Sequence, residues 1–160
     1  MNVSFKLTGF MFIICLLLTS PVRADVLLLV HGYQGNVMSW ERSGVSAVLH
    51  NFGWKRAAVL ISTPVGIQAI PMKWQNEENK VVFLQLNSEL PLLGQANVVT
   101  GAMRWINDRY PSEPLIIAGH SLGGVSARLA LVLNGASNVQ ALITIASPHL
   151  GTVLAYRGLE

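Results

Sequence analysis

Residues 26–30 read VLLLV, an unbroken apolar run that stops at His31-Gly32. Five such residues suit a strand covered on both faces and are too few for a helix. Residues 40–51 then place Trp40, Val45, Val48 and Leu49 near one helical face, with Gly53 as a stop. AAVLI at 57–61 predicts a second strand. Across 62–80, Pro64, Gly66 and Pro71 interrupt any regular element while Ile67, Ile70, Met72 and Trp74 stay apolar, so a long loop or short excursion is expected. VVFLQL at 81–86 predicts a third strand. A helix over 95–109 follows, with Val98, Met103, Trp105 and Ile106 inward and Pro111 and Pro114 closing it. The order then becomes strand PLIIAG, turn HSLGG, helix 125–133, loop NGASN and strand ALITIA at 141–146. Strands alternating with helices predict an α/β fold, a parallel sheet with helices on both faces. The chain shows no internal repeat or linker tract, so one such unit is the simplest organisation.

The first 24 residues read differently. Lys6 precedes an uncharged run from Phe10 to Leu18, and TSPVRA puts Val22 and Ala24 where a signal peptidase reads. Nine apolar residues followed by Ser20-Pro21 fall short of the roughly 20 a membrane span needs. Residues 1–24 are therefore expected to be a signal peptide, with 25–160 exported to a periplasmic or extracellular compartment and no stable membrane span after cleavage. Cys15 sits inside the apolar run, so the mature chain carries no cysteine and cannot depend on disulfides. The formal charge of +3 falls as Lys6 and Arg23 leave, to nine basic against eight acidic residues. Singly scattered charges of that balance argue against a nucleic-acid partner. At 160 residues and 51% hydrophobic content the chain can build one buried core.

Chemistry concentrates in Gly119-His120-Ser121-Leu122-Gly123, a G-x-S-x-G pattern between the strand LIIA and the helix VSARLALVL. A serine hydroxyl is a poor nucleophile unless it is exposed, given a base and faced by donors where an oxyanion develops. A sharp strand-to-helix turn exposes it, and Gly119 and Gly123 avoid collisions around a strained apex. The bland alternative is a glycine-rich turn carrying a surface serine. Flanking elements of the required kind, together with an upstream strand ending in His31-Gly32, favour the nucleophile.

VLLLVHGYQG, IIAGHSLGG and LITIASPHLGT resemble the oxyanion-loop strand, the nucleophile elbow and the following strand of the α/β-hydrolase superfamily, within it the bacterial lipases and esterases. The likeness runs over residues 26–152. It implies a carboxylic ester hydrolase with Ser121 as nucleophile, Tyr33 and Leu122 N–H as oxyanion donors, and a small-molecule or lipid ester as substrate. Amide and thioester hydrolysis stay open, because one elbow serves several acyl transfers. Among the histidines, His50 is expected at the surface, His120 to pack beneath the turn and His31 to brace the oxyanion loop. His149 is a site-edge candidate at the carboxyl end of the last strand, though in related lipases the equivalent histidine is structural. Trp40, Trp54, Trp74 and Trp105 read as core or surface anchors, with Trp74 a candidate to line an acyl pocket.

In the superfamily the acid and then the histidine follow the serine on later loops. After Ser121 this chain offers only His149 and then Glu160, in the wrong order. The chain is therefore expected to be a partial domain that stops before the acid-bearing loop. On its own it should turn over esters negligibly, because losing a triad base costs about 10⁶ in rate, and its last strand should form an aggregation-prone edge. The alternative is a catalytically inactive relic or binding protein that keeps the fold. No cofactor or metal is expected: H-E-x-x-H, G-x-x-x-x-G-K-[ST] and paired ligands at metal spacing are all missing from the sequence.

Overall fold

The computed structural model describes residues 24–72, 79–136 and 138–153. Residues 1–23 of the expected leader, Trp74 and Glu160 fall outside the described residues, and with them what was expected of each.

Strand β1 (Val26–Val30) is buried at all five positions. Its alternation explains why. Val26, Leu28 and Val30 join the larger core, while Leu27 and Leu29 join a second cluster with Trp40, Val81, Phe83 and Ala118. The strand lies between β4 (Asn79–Gln85) and β5 (Leu115–His120), parallel to both, with Leu28 opposite Val82 and Ile117. Beyond β4 come β2 (Trp54–Thr63), also parallel, and then antiparallel β3 (Gly66–Pro71) at one edge. β6 (Val139–Ile145) pairs in parallel with β5 at the other edge, giving the order β3-β2-β4-β1-β5-β6. Short helices α1 (Met38–Arg42) and α2 (Val45–Asn51) supply the smaller cluster. Helices α3 (Leu92–Arg109) and α4 (Leu122–Asn134) pack together and supply the larger one. The expected α/β sandwich of helices around a parallel sheet is thus present.

Four details differ from expectation. The single helix over 40–51 is two, broken at Gly44, whose φ of 81° lies in the left-handed region. That break shifts the helical phase, and Val48 turns out 55% exposed. The interrupted stretch after residue 62 contains β3, joined to β2 by a tight turn in which Thr63 pairs with Gly66. An edge strand tolerates the terminal Gly66 and Pro71 that would break a central one, and its Ile67 and Ala69 pack on the core while Gln68 and Ile70 face outward. Helix α3 begins three residues earlier than expected, and its buried face comprises Gln95, Ala96, Val99, Thr100, Ala102, Met103 and Ile106. Val98 and Trp105 sit at that face's margins.

The two ends of the sheet differ in chemistry. At the amino end, Lys80 is 4% exposed and donates to both Glu113 oxygens at 2.9 and 2.8 Å, with its ammonium 5.2 Å from the Tyr110 ring centre. The carboxyl end carries the glycine-rich turns described next. Among the described residues, no helix is long and apolar enough to cross a membrane.

Candidate active site

β5 hands over to α4 with no intervening loop, and Ser121 occupies the junction at φ 52° and ψ −127°. That backbone is strained for any residue with a Cβ. It is held at both ends: Ser121 N–H donates to Ile145 O at 2.8 Å, and Gly124 N–H donates to Ser121 O at 3.2 Å. The flanking glycines are required by space. A Cβ on Gly119 would lie 2.5 Å from Gly124 Cα, and one on Gly123 would lie 2.3 Å from His31 O. One on Gly124 would strike Ser147 Oγ, which itself reaches Gly119 O at 3.5 Å. The elbow is therefore wedged between the end of β1 and the loop after β6.

The loop following β1 lies directly over the serine. A Cβ added to Gly32 would stand 2.7 Å from Ser121 Cβ and 3.3 Å from Ser121 Oγ. The loop is fastened to the end of β4 and the segment that follows it. His31 Nε2 accepts from Leu86 N–H at 3.4 Å, Gln34 N–H donates to Ser88 Oγ at 2.9 Å, and Val37 N–H donates to Gln85 Oε1 at 3.0 Å. His31 Nδ1 lies 2.9 Å from Gly32 O, so the neutral tautomer with its proton on Nδ1 satisfies both nitrogens. Burial is the leading cause that holds the His31 pKa below its ordinary value, against the opposing pull of the Gly32 and Leu86 backbone bonds. These bonds tie the first residue of the loop to Leu86 in the segment after β4. Gln34, with φ 53°, is the strained residue of this loop.

A cavity of about 420 Å³ opens beside the serine. His31, Gly32, Tyr33, Gln34, Gly35, His120, Ser121 and Ile145 line it, joined by Ser39, Trp40, Ser43 and Val45 from the α1–α2 region. The last four were not singled out in the sequence as site residues, because helical spacing marks an inward face but not which element it will meet. Leu122 opens α4 immediately after Ser121, where backbone N–H groups have no intrahelical partner. Tyr33 is 57% exposed, so its side chain faces solvent.

His120 corrects an expectation. It is exposed rather than packed beneath the turn, lines the cavity and meets Trp40 edge-to-face at 6.5 Å. The alternation of β5 explains this, since Gly119 faces α4 and the next residue faces the opposite side. His50 is exposed, as expected. His149 does not line the cavity; its Nδ1 is buried without a hydrogen-bond partner among the described residues. No hydrogen bond joins Ser121 Oγ to a histidine or carboxylate among the described residues, and none of their acids lines the cavity. Nor do they contain three His, Cys, Asp or Glu side chains grouped to hold a metal ion.

Comparison with known proteins bears on the family and the fold. The family model of the PGAP1-like alpha/beta domain matches residues 22–158. A GPI inositol-deacylase of Candida albicans is 39% identical over 69 residues, covering 41% of this chain and 18% of that protein. The mature lipase BlEst2 of Bacillus licheniformis superposes with a TM-score of 0.62 at 20% identity, over 88% of this chain and 47% of the lipase. The product of the Listeria innocua gene lin2722 superposes with a TM-score of 0.65 at 18% identity, over 78% of this chain and 52% of that one. The chain thus spans about half the length of these solved structures and less than a fifth of the curated relative. The shared fold is that of the α/β hydrolases.

Proposed function

Because the chain belongs to the PGAP1-like alpha/beta domain family, we propose that it is the nucleophile-bearing part of an exported serine hydrolase acting on carboxylic esters, lipid acyl esters above all. One observation carries the reading: Ser121 stands at a strand-to-helix junction in a strained conformation, with Gly32 pressed against it and a cavity alongside. In this reading Ser121 Oγ bonds to the acyl carbon, and the carbonyl electrons move onto oxygen. Tyr33 and Leu122 N–H stabilise that oxyanion. Collapse of the intermediate expels the alcohol, which takes a proton, and water then releases the acid from the acyl-serine. The deacylase names of the curated relatives support an acyl ester as the bond attacked.

The serine proton needs an acceptor, and the described residues bring none against Ser121. Added imidazole can serve, since a cavity of about 420 Å³ adjoins the hydroxyl. The test is release of p-nitrophenol from a medium-chain p-nitrophenyl ester by the chain and by Ser121→Ala, with and without imidazole. We expect negligible turnover without imidazole and, with it, a rate at least tenfold above that of Ser121→Ala. Equal rates for the two proteins in imidazole refute the nucleophile. They would favour the second reading, a non-catalytic binding protein, which the lack of a base beside Ser121 among the described residues supports.

A further inference from the structure

Helix α3 presents a largely apolar face to the core with two polar members, Thr100, whose hydroxyl bonds back to Ala96 O in its own helix, and Gln95. Gln95 is 2% exposed among Ala96, Val99, Ala102, Met103 and Ile106, where a buried amide must find partners or destabilise the fold. Its partners lie on two separate segments. Gln95 Nε2 donates to Ser88 O at 3.0 Å and to Leu90 O at 2.8 Å, both in the connection from β4 to α3. Gln95 Oε1 accepts from Ser126 Oγ at 2.9 Å, and that fully buried hydroxyl also lies 2.9 Å from Leu122 O in the first turn of α4. The single hydroxyl proton can serve only one acceptor at a time.

The chain of bonds continues outward from each end. Ser88 Oγ accepts from Gln34 N–H, in the loop that covers Ser121. At the other end Ser126 belongs to α4, and the alternative acceptor for its hydroxyl, Leu122 O, belongs to the residue after Ser121. Among the described residues, Gln95 is the side chain that hydrogen-bonds both the 85–90 segment and α4. A leucine or methionine would fill the same space without polar demands, so the amide contributes direction and fixed separation rather than burial.

We infer that Gln95 is a positioning residue that sets the spacing between the two halves of the oxyanion site, the Tyr33–Gln34 loop and the start of α4. This inference rests on the hydrolase reading above. Displacing either N–H by a fraction of an ångström weakens its bond to the developing charge and leaves ground-state binding largely intact, so the effect belongs in kcat.

The experiment uses the imidazole-supported ester assay on the 160-residue chain, Gln95→Met, Ser126→Ala and the double variant. Gln95→Met is expected to lower kcat about ten- to a hundredfold with KM within about twofold. Ser126→Ala should lower it less, and the double variant should match Gln95→Met alone, because both cut one chain of bonds. Amide hydrogen exchange gives an independent reading. Exchange at Gln34 should accelerate in Gln95→Met while the amides pairing β1 with β4 keep wild-type protection. Unchanged kcat in Gln95→Met, multiplicative effects of the two variants, or wild-type protection at Gln34 would each overturn the inference. Should Gln95→Met fail to fold, Ser126→Ala alone decides, a kcat loss with unchanged KM supporting the inference and an unchanged kcat overturning it. If the parent and Ser121→Ala hydrolyse at the same imidazole-supported rate, the hydrolase reading fails, and exchange at Gln34 still judges the linkage.

Discussion

Replacing Ser121 by glycine should leave the protein more stable than replacing it by alanine, although alanine is ordinarily the better-tolerated residue. At φ 52° and ψ −127° the backbone lies in territory open to glycine and costly for a residue with a Cβ. Such conformations cost on the order of 1–3 kcal/mol. Alanine keeps that cost, and losing the hydroxyl forfeits little, since Ser121 makes no side-chain capping bond. Glycine removes it but loosens the unfolded chain, an opposing effect of about 0.4–1 kcal/mol. The net advantage of glycine over alanine is therefore up to about 2.6 kcal/mol, and about 1.3 kcal/mol at the midpoints of about 2 and about 0.7. At about 2–4 °C per kcal/mol for a chain of this size, Tm should differ by roughly 3–5 °C. Thermal and urea unfolding of Ser121→Gly and Ser121→Ala at neutral pH, with reversibility checked, measure it. If alanine proves equal to or more stable than glycine, no strain is stored at the junction, and the strongest single observation for a nucleophile elbow goes with it.

Other outcomes follow from the same geometry. Gly32→Ala brings a methyl to 2.7 Å from Ser121 Cβ, so the loop must retreat by about 1 Å toward ordinary carbon contact. We expect a loss of about 1–3 kcal/mol in urea unfolding and a fall in imidazole-supported turnover of about a hundredfold; an unchanged midpoint and rate would contradict the close approach. Glu113→Ala removes two short hydrogen bonds from Lys80, whose side chain is 5% exposed, and should cost about 1–3 kcal/mol in urea unfolding. An unchanged urea midpoint would contradict the contribution of these bonds. His31 is buried in neutral form with its pKa depressed, so the unfolded chain binds more protons as pH falls below about 6.5. Its contribution to stability is thus full above that value and is lost progressively as pH falls toward the lower folded pKa. Urea midpoints should drop between pH 7 and 5, more steeply than in His31→Gln; parallel profiles would refute the assignment.

Much of this was legible in the sequence, and the reasons are local. VLLLV could only be a doubly covered strand, and the glycine spacing around Ser121 announced a turn too tight for side chains. What sequence alone could not supply was phase and partnership. Gly44 reads equally well as a helical residue or a break, and only its left-handed φ turns Val48 outward. Pro and Gly in residues 62–80 signalled disruption because breakers act against central strands, whereas β3 lies at an edge. His120 and Gln95 share a lesson. Adjacent polar residues in an apolar pattern declare that a partner exists, but Trp40 is 80 positions from His120 in sequence and Ser126 is 31 from Gln95.

Strand β6 offers a practical use. Its inner row of backbone groups bonds to β5, while its outer row meets no further strand among the described residues, and Ile143 and Ile145 beside it are 48% and 44% exposed. Backbone direction alternates along a strand, so neighbouring amides there should exchange with deuterium at sharply different rates. The outward amides then act as a gauge. Whatever adds to this border, be it more of the same polypeptide, a second copy or another protein, will slow that set and leave the inward set unchanged.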